Sequence, residues 1–422
     1  MVRTDDARAL DRSTLRRVVT VLCLTEITSW GVLYYALPVL APAITRTTGW
    51  TLPMVTGAFS AALVTAALVG VAVGRGIDRF GPRPIMTAGS LLGVPCLVAI
   101  ATATTYPLFL LAWVLTGVAI SALLYPPAFV ALTHWGGVHR VRVLTVLTLV
   151  AGLASTVFAP VTAVLEDWLG WRQAYLVLAG VLAVVTIPAH WFGLRAPWVP
   201  DARRHVSEVG GVPRATWRTR PFLVLLVAMC AAAVCVYAVV INLVPLLMER
   251  GLSTYEAAIA LGLGGVGQVC GRLGYGWLSR RTTPGTRSAV VFTGVVVTTG
   301  LMALLPGPML LLLLLSMLVG STRGVFTLIQ ATAVSDRWGT AGFGRLNGVM
   351  LAPVMLASAL APWLGSALAE LTGSHSRAFL VLACFAALAA VLIPWSRPGD
   401  GVPPRGRTER VDQVSTSTGK ED

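Results

Sequence analysis

The sequence predicts an all-α integral membrane protein with twelve transmembrane helices in two six-helix bundles. Three observations predict the membrane class and the number of helices, and a weak internal repeat between the two halves of the chain predicts the two bundles. Hydrophobic residues make up 56% of the 422-residue chain and charged residues only 12%, against about 25% charged residues in soluble globular proteins. The apolar residues gather in runs of about 20 residues, the length that crosses a bilayer. The basic residues fall in clusters between these runs, mainly on one side.

Twelve apolar runs of spanning length follow one another along the chain. They cover residues 18–40, 52–74, 85–103, 106–133, 143–165, 173–194, 221–248, 255–278, 288–305, 308–334, 346–370 and 376–395. Residues 18–194 would form the first bundle and 221–395 the second, with a polar central loop at 195–220. Residues 1–17 would form a cytoplasmic segment. The tail at 396–422 is rich in Pro, Gly, Ser, Thr and charge, so we expect it to be disordered.

The distribution of positive charge predicts the orientation. Both termini and the alternate loops on their side carry 26 of the 32 Lys and Arg residues, and the other side carries four. Positively charged loops stay in the cytoplasm. We therefore expect both termini and the central loop to be cytoplasmic, in the plasma membrane, which is the inner membrane of a bacterial cell. The remaining two basic residues, Arg272 and Arg323, lie inside spans.

Composition and motifs argue against several other classes. The net charge of +14 would suit nucleic acid, but no basic face with aromatic or motif support accompanies it. The six cysteines lie in apolar runs without metal-site spacing, so we expect no metal, no disulfide and no cofactor. A membrane-embedded enzyme would need acids and histidines clustered at one membrane face, and a sensor would need a folded soluble domain. Neither feature is visible, so both classes are less favoured.

One glycine pattern invites a different interpretation. Gly262, Gly264 and Gly267 have the spacing of a dinucleotide-binding fingerprint, but they lie inside a membrane span with no preceding strand. Small residues at this spacing favour close packing between transmembrane helices. The pattern therefore predicts a helix contact.

The strongest motif lies between the second and third runs, in the segment Gly74-Arg75-Gly76-Ile77-Asp78-Arg79-Phe80-Gly81-Pro82-Arg83. It resembles the loop 2–3 motif of the major facilitator superfamily, G-x-x-x-D-R-x-G-x-R/K, at the position where that family has it. The resemblance covers the chain from the first run to the twelfth and implies alternating access around a central cavity. It also implies a conformational latch on the cytoplasmic side, formed by Gly74, Asp78, Arg79, Gly81 and Arg83.

The second half contains a degenerate copy of the motif. Gly276 matches Gly74, but Arg280 stands where Asp78 would be. We therefore expect the latch of the second half to be weakened or absent.

Arg272 lies about two turns inside the eighth run, where an ionisable residue is costly and is a functional candidate. With Gly276 it resembles the eighth-segment arginine of monocarboxylate transporters and oxalate/formate antiporters, which binds the substrate carboxylate. Two positions depart from those families. Leu273 replaces the usual proline, and Gln268 replaces an acid. Arg272 is therefore interpreted either as a substrate anchor or as a structural or gating residue.

Two further charges lie deep in the predicted spans. Arg323 is near the middle of the tenth run, and a guanidinium suits a carboxylate bidentately. We expect it to bind substrate or to take part in coupling, the alternative being a structural pair. Glu26 is the only acid deep in any run. We expect it to carry a coupled proton with Arg323 and Arg272 as counter-charges, the alternative being a structural ion pair that holds the first helix.

Other polar residues in apolar spans are weaker substrate-binding candidates. Prolines in the same helices free backbone groups that need partners, so some of these residues would serve helix kinks instead. They are Tyr34, Tyr35, Tyr125, Asn242, Gln268, Gln330 and Asn347.

The sequence thus predicts a secondary active transporter and not an enzyme. Its substrate would be a small organic solute, an anion or monocarboxylate, moved by alternating access with proton coupling. We expect a monomer in the lipid bilayer, with substrate and proton as partners and no nucleic acid. The alternative is a proton-coupled exporter of an amphiphilic drug or metabolite, for which the spans contain enough Tyr, Trp and Phe. Trp113 stands where drug/proton antiporters commonly have an arginine in the fourth segment, and Ala159-Pro160 replaces the Gly-Pro of the antiporter motif in the fifth. Both departures argue against the multidrug-efflux branch.

Overall fold

The computed structural model describes residues 10–199, 216–339 and 343–396, without the side chains of 343–345. These residues form helices joined by short connections, with no strand among them, which confirms the predicted all-α class. Eleven helical stretches are long and apolar enough to cross a membrane. One of them, Gly137–Gly193, is divided at Gly170, whose φ of 78° and ψ of 163° are not helical. The described chain therefore contains twelve spanning helices.

We name the spanning helices α1 to α12 in chain order. Their bounds are α1 Arg12–Thr48, α2 Leu52–Phe80, α3 Pro82–Thr102, α4 Tyr106–Trp135, α5 140–169, α6 171–193, α7 Arg220–Glu249, α8 Thr254–Arg281, α9 Pro284–Leu304, α10 Met309–Thr332, α11 Phe343–Thr372 and α12 His375–Ser396. The end of the molecule at which α1 begins and α12 ends is called the terminal side, and the opposite end the distal side. The tail predicted to be disordered lies outside the described residues.

Several helices extend beyond their predicted bounds, α1 and α2 the farthest. α1 begins at Arg12, where the carboxylate of Asp11 accepts hydrogen bonds from the backbone N–H groups of Ser13 and Thr14. Hydrogen bonds from Ser13 and Thr14 also hold the pKa of this carboxyl group below its usual range. α2 continues to Phe80, so the charged segment expected to be a loop forms the last turns of α2 and the first turn of α3.

The helices form two bundles, α1–α6 and α7–α12. In the first bundle α4 packs against α2 and α3, and in the second α8 packs against α10 and α9 against α12. The bundles meet where α2 packs on α11 and α5 on α8, and the second half of α1 also contacts α7. The middle of the molecule is therefore bounded by helices of both halves.

A seam of glycines brings α8 and α10 into backbone contact. A Cβ atom on Gly267 would lie 1.9 Å from the carbonyl oxygen of Met317, and one on Gly320 would lie 1.9 Å from that of Gly264. Only glycine permits this approach. The structure thus confirms that the glycine pattern of α8 packs helices. It also places Gln268 of α8 beside Gly324 of α10.

Two arginines stabilise helix ends on the distal side. Arg172 donates to the carbonyl oxygens of Ala101 at 2.6 Å and Ala103 at 3.0 Å, at the end of α3. Arg250 donates to the carbonyl oxygens of Leu305 at 2.5 Å and Ala303 at 3.0 Å, at the end of α9. The last carbonyl groups of a helix have no partner within it, so these guanidinium groups supply donors that the helices lack.

Candidate functional site

Arg323 is the centre of the polar cluster in the middle of the molecule. Its side chain is buried, and its guanidinium donates to the hydroxyl of Tyr35 at 2.5 Å and to the Oε1 atom of Gln268. Tyr35 belongs to α1 and Gln268 to α8, so the arginine joins the two bundles. No carboxylate of the described chain forms an ion pair with it. Its partners are neutral, and its positive charge is not compensated by a described acid.

The π-helical turn Gly31–Tyr35 of α1 positions two tyrosines at this cluster. A Cβ atom on Gly31 would lie 2.2 Å from the ring of Phe158 in α5, so only glycine allows the two helices to come this close here. Tyr34 packs edge-on against Phe59 of α2 with ring centroids 5.2 Å apart, whereas Tyr35 reaches Arg323. π turns inside α-helices are uncommon, and those that do occur are often found at functional sites.

An aromatic wall continues from the cluster toward the terminal side. The ring centroid of Trp30 lies 5.2 Å from that of Tyr34 and 5.0 Å from that of Tyr125, and Tyr125 stacks on Phe129 at 5.1 Å. Trp30, Tyr125 and Phe129 are partly exposed. The wall combines apolar ring faces with a nearby positive charge.

Sequence reasoning missed two residues of this region. Tyr237 of α7 is close enough to interact electrostatically with Arg323, Arg272 and Tyr35. It is the only tyrosine of α7, a signal that a search for isolated polar groups would have found. Trp30 follows Glu26 by one helical turn, and that spacing was the available signal.

Arg272 forms a tie between the bundles. It donates to the backbone carbonyl of Thr148 in α5 and to the hydroxyl of Thr327 in α10 at 3.4 Å, while its Nε atom is buried without a partner. Tyr125 also lies close to it. The side chain of Arg272 thus joins α5 of the first bundle to α8 and α10 of the second.

Glu26 is completely buried in the first bundle. Trp30 is close enough to interact with its carboxyl group, but neither carboxyl oxygen nor the indole nitrogen makes a hydrogen bond of normal geometry. Within the described ranges no ion pair joins Glu26 to Arg272 or Arg323. Neither the expected pairing with the arginines nor the alternative structural ion pair is therefore formed.

The position of Glu26 explains this difference. Cys23, one turn earlier, belongs to an apolar cluster with Ala131 of α4 and Leu147 of α5, so this part of α1 faces its own bundle. Tyr125 interacts electrostatically with both Glu26 and Arg272. Glu26 and Arg272 thus share Tyr125 as a neighbour, whereas no described ion pair joins them directly.

The remaining candidates are distributed over other parts of the helices. Asn242 donates to the carbonyl oxygens of Ala238 and Pro362 and accepts from Ser366, so it ties α7 to α11. Gln330 is partly exposed, two turns beyond Arg323 in α10. Asn347 lies near the start of α11, with its Oδ1 atom buried and without a partner. Of the predicted set, the structure brings together Tyr34, Tyr35, Gln268 and Arg323, with Tyr125 and Arg272 beside them.

The segment predicted as a latch is packed against the start of the central loop. Gly81 has a φ of +81°, and a Cβ atom on it would lie 2.9 Å from the ring of Trp198. The indole N–H of Trp198 donates to the carbonyl oxygen of Asp78 at 3.2 Å, and Arg83 donates to the carbonyl oxygen of Trp191 at 2.8 Å. Gly74 and Arg79 lie in the last turns of α2.

The second bundle has an ion pair at the corresponding side of the molecule. Arg287, in the first turn of α9, pairs with Asp336 in the short helix Ser335–Trp338 that follows α10. The degenerate motif around Arg280 gave no indication of this pair, because the acid comes from a different connection. This ion pair was not predicted from the sequence.

Comparison with known proteins agrees with this architecture. The chain matches the family model described as Major Facilitator Superfamily over residues 22–343. Monocarboxylate transporter 11 of Mus musculus is 26% identical over 321 residues, which cover 73% of this chain and 70% of the relative. The 3-(3-hydroxy-phenyl)propionate transporter of Escherichia coli (strain K12) is 26% identical over 318 residues, with coverage of 70% and 75%.

A solved structure shows the same fold. The crystal structure of the nucleoside transporter NupG aligns with a TM-score of 0.72 over 90% of this chain and 99% of that chain, at 14% sequence identity. A likeness at this identity concerns the arrangement of the helices alone.

Proposed function

The chain belongs to the major facilitator superfamily, and from this premise we propose that it transports a small organic carboxylate by proton-coupled alternating access. It is a multi-pass membrane transporter.

The uncompensated charge of Arg323 carries the proposal. A buried guanidinium in a membrane protein is costly unless it is paired, and the acceptors that the described chain supplies are the neutral Tyr35 and Gln268. A substrate carboxylate would provide the missing negative charge and accept two parallel hydrogen bonds. The curated relatives support this class, since their names specify monocarboxylate and hydroxyphenylpropionate transport.

Alternating access requires contacts between the bundles that break and re-form. Four hydrogen bonds of the described chain cross between the bundles. Arg323 donates to Tyr35, Arg272 to Thr148, Thr156 to the carbonyl oxygen of Gly262, and the backbone N–H of Trp363 to Ser60. Two of the four are donated by the intramembrane arginines. Binding of an anion to this region would therefore act directly on the bundle interface.

Glu26 is the proposed proton carrier. It is buried without a hydrogen-bond partner, so its ionised form has little local stabilisation. Tyr125 interacts electrostatically with both Glu26 and Arg272, so rearrangement of the arginine would change the electrostatic environment around the acid. We propose that both termini and the latch of Asp78 face the cytoplasm, in agreement with the charge bias of the loops.

The decisive experiment compares acids with their esters. We would measure the thermal stability of the purified protein with L-lactate, benzoate and 3-(3-hydroxyphenyl)propionate and with the methyl ester of each. We expect at least one acid to stabilise the wild-type protein and its ester not to. Arg323→Gln should lower the affinity for that acid about 30-fold or more, because removal of one partner of a buried charge pair costs about 2–5 kcal/mol. Arg377→Gln, an exposed arginine on the distal side, is the control.

The aromatic wall supports a second candidate function. Trp30, Tyr125 and Phe129 offer ring faces suited to an amphiphilic drug or metabolite. An ester that binds as tightly as its acid, with no loss in Arg323→Gln, would favour this exporter and reject the carboxylate site. Proton coupling is tested separately in proteoliposomes. An inward proton gradient should accelerate uptake by the wild-type protein. The same gradient should not change the rate of uptake by Glu26→Gln.

A further inference from the structure

We infer that the hydroxyl group of Tyr35 takes the place of a substrate carboxylate on Arg323, so that the transporter can close and reorient without substrate. This inference rests on the proposed carboxylate site. It adds a specific property, that the protein carries out net transport and is not restricted to exchange of one anion for another.

The contact between Tyr35 and Arg323 has the features that this role needs. The Tyr35 oxygen accepts a hydrogen bond from the guanidinium at 2.5 Å, with both side chains buried. Gln268 supplies a second acceptor from α8. Both neutral oxygens accept hydrogen bonds from the same guanidinium nitrogen, Nη2, and so occupy donors that a substrate carboxylate would otherwise use.

The two acceptors differ in where they come from. Gln268 is in the same bundle as Arg323, and its position is set by the glycine seam between α8 and α10. Tyr35 comes from α1 in the other bundle, 288 residues away in the sequence. Only the bond to Tyr35 therefore forms and breaks as the bundles move relative to each other.

This difference has a consequence for the transport cycle. Closing the bundles around an unsatisfied guanidinium would leave a buried donor without a partner, which is unfavourable. A hydroxyl supplied by the opposite bundle lowers that penalty, so closure does not require an anion. The substrate must then displace Tyr35 from Arg323, which lowers the apparent affinity for the substrate. In return, the transporter without bound substrate reorients rapidly, and we call this reorientation the empty step.

The test separates net transport from exchange. We would reconstitute the wild-type protein and Tyr35→Phe into proteoliposomes. The probe is the acid that gave the largest thermal shift among L-lactate, benzoate and 3-(3-hydroxyphenyl)propionate. Uptake into vesicles without internal acid measures a cycle that includes the empty step. Uptake into vesicles preloaded with the same acid measures exchange. Tyr175→Phe, another buried tyrosine in the first bundle, is the matched control.

We expect Tyr35→Phe to lose about tenfold or more in net uptake while exchange stays near the wild-type rate. Its affinity for the acid should increase about tenfold, which corresponds to about 1.4 kcal/mol. Tyr175→Phe should change neither mode. A merely structural role for Tyr35 would lower both modes together and would not raise affinity.

Three results would overturn the inference. They are weaker binding in Tyr35→Phe, which would make Tyr35 a direct substrate ligand, an equal loss of both modes, and no change in either mode. If the wild-type protein binds and transports none of the three acids, the proposed function fails instead. The wild-type measurement therefore distinguishes the two failures.

Discussion

The substitution Gly320→Ala tests whether the glycine seam of α8 and α10 positions the central arginine. The new Cβ atom would lie 1.9, 2.6 and 2.7 Å from the carbonyl oxygen, carbonyl carbon and Cα atom of Gly264. All three atoms belong to the backbone, so no side chain can move aside. Real Cβ contacts are essentially never shorter than 3.0 Å. The two helices would therefore have to separate by about 1 Å at this point, which is the kind of backbone shift that overpacking causes.

The size of the effect follows from this displacement. Overpacking of a well-packed interface costs about 1–3 kcal/mol, so we expect the Tm of the purified protein to fall by several degrees. Arg323 follows Gly320 by one turn, and its bond to Gln268 crosses the same seam. The separation should therefore also reduce the affinity for a carboxylate.

The assay is thermal unfolding followed by tryptophan fluorescence, with and without the stabilising acid. Gly300→Ala in α9 is the matched control, because a Cβ atom there has no neighbour within 4 Å and alanine favours the helix by about 1 kcal/mol. We expect Gly300→Ala to keep or raise the Tm. If both variants show the same Tm and the same affinity, close backbone approach does not position Arg323 and the reasoning is wrong.

Three further substitutions test the ends of the helices. Asp78→Asn should slow transport about tenfold with little change in substrate affinity; a collapse of affinity with normal turnover of bound substrate would contradict the latch. Gly81→Ala should lower the Tm, because a left-handed backbone costs a non-glycine residue about 1–3 kcal/mol and Trp198 occupies the space; an unchanged Tm would show that this turn relaxes freely. Arg250→Ala should lower the Tm by several degrees, since its hydrogen bonds satisfy the end of α9. The control is Arg16→Ala, at an exposed arginine of α1, which should leave the Tm unchanged.

The global architecture could be predicted from the sequence because it depends on composition and periodicity. The apolar runs predicted twelve spans, and the structure contains twelve, with α5 and α6 separated only by the kink at Gly170. Helix ends were less accurate. α2 continues through Ile77 and Asp78 because a helix can extend past the apolar run when polar residues continue its hydrogen bonding.

The candidate site could be predicted from the sequence only in part. Arg323 and Glu26 were conspicuous as charges inside apolar runs, and this signal needs no knowledge of the fold. Which of these charges lie close to each other could not be predicted from the sequence. The sequence suggested that Glu26 faces the arginines. The structure instead buries it one turn after Cys23, which belongs to an apolar cluster with residues of α4 and α5, and Trp30 is its polar neighbour. Trp30 and Tyr237 were overlooked because aromatic residues are common in membrane spans.

The sequence by itself thus determined the membrane class, the number of spans, the motif that resembles a family and the three deep charges, since each of these is a property of a short window. The tertiary structure decided which charges meet. Arg323 reaches Tyr35 because the π turn of α1 presents that side chain, and it reaches Gln268 because glycines bring α8 and α10 into contact. Which faces of two helices oppose each other depends on how closely their backbones approach, and no window of one helix contains that information.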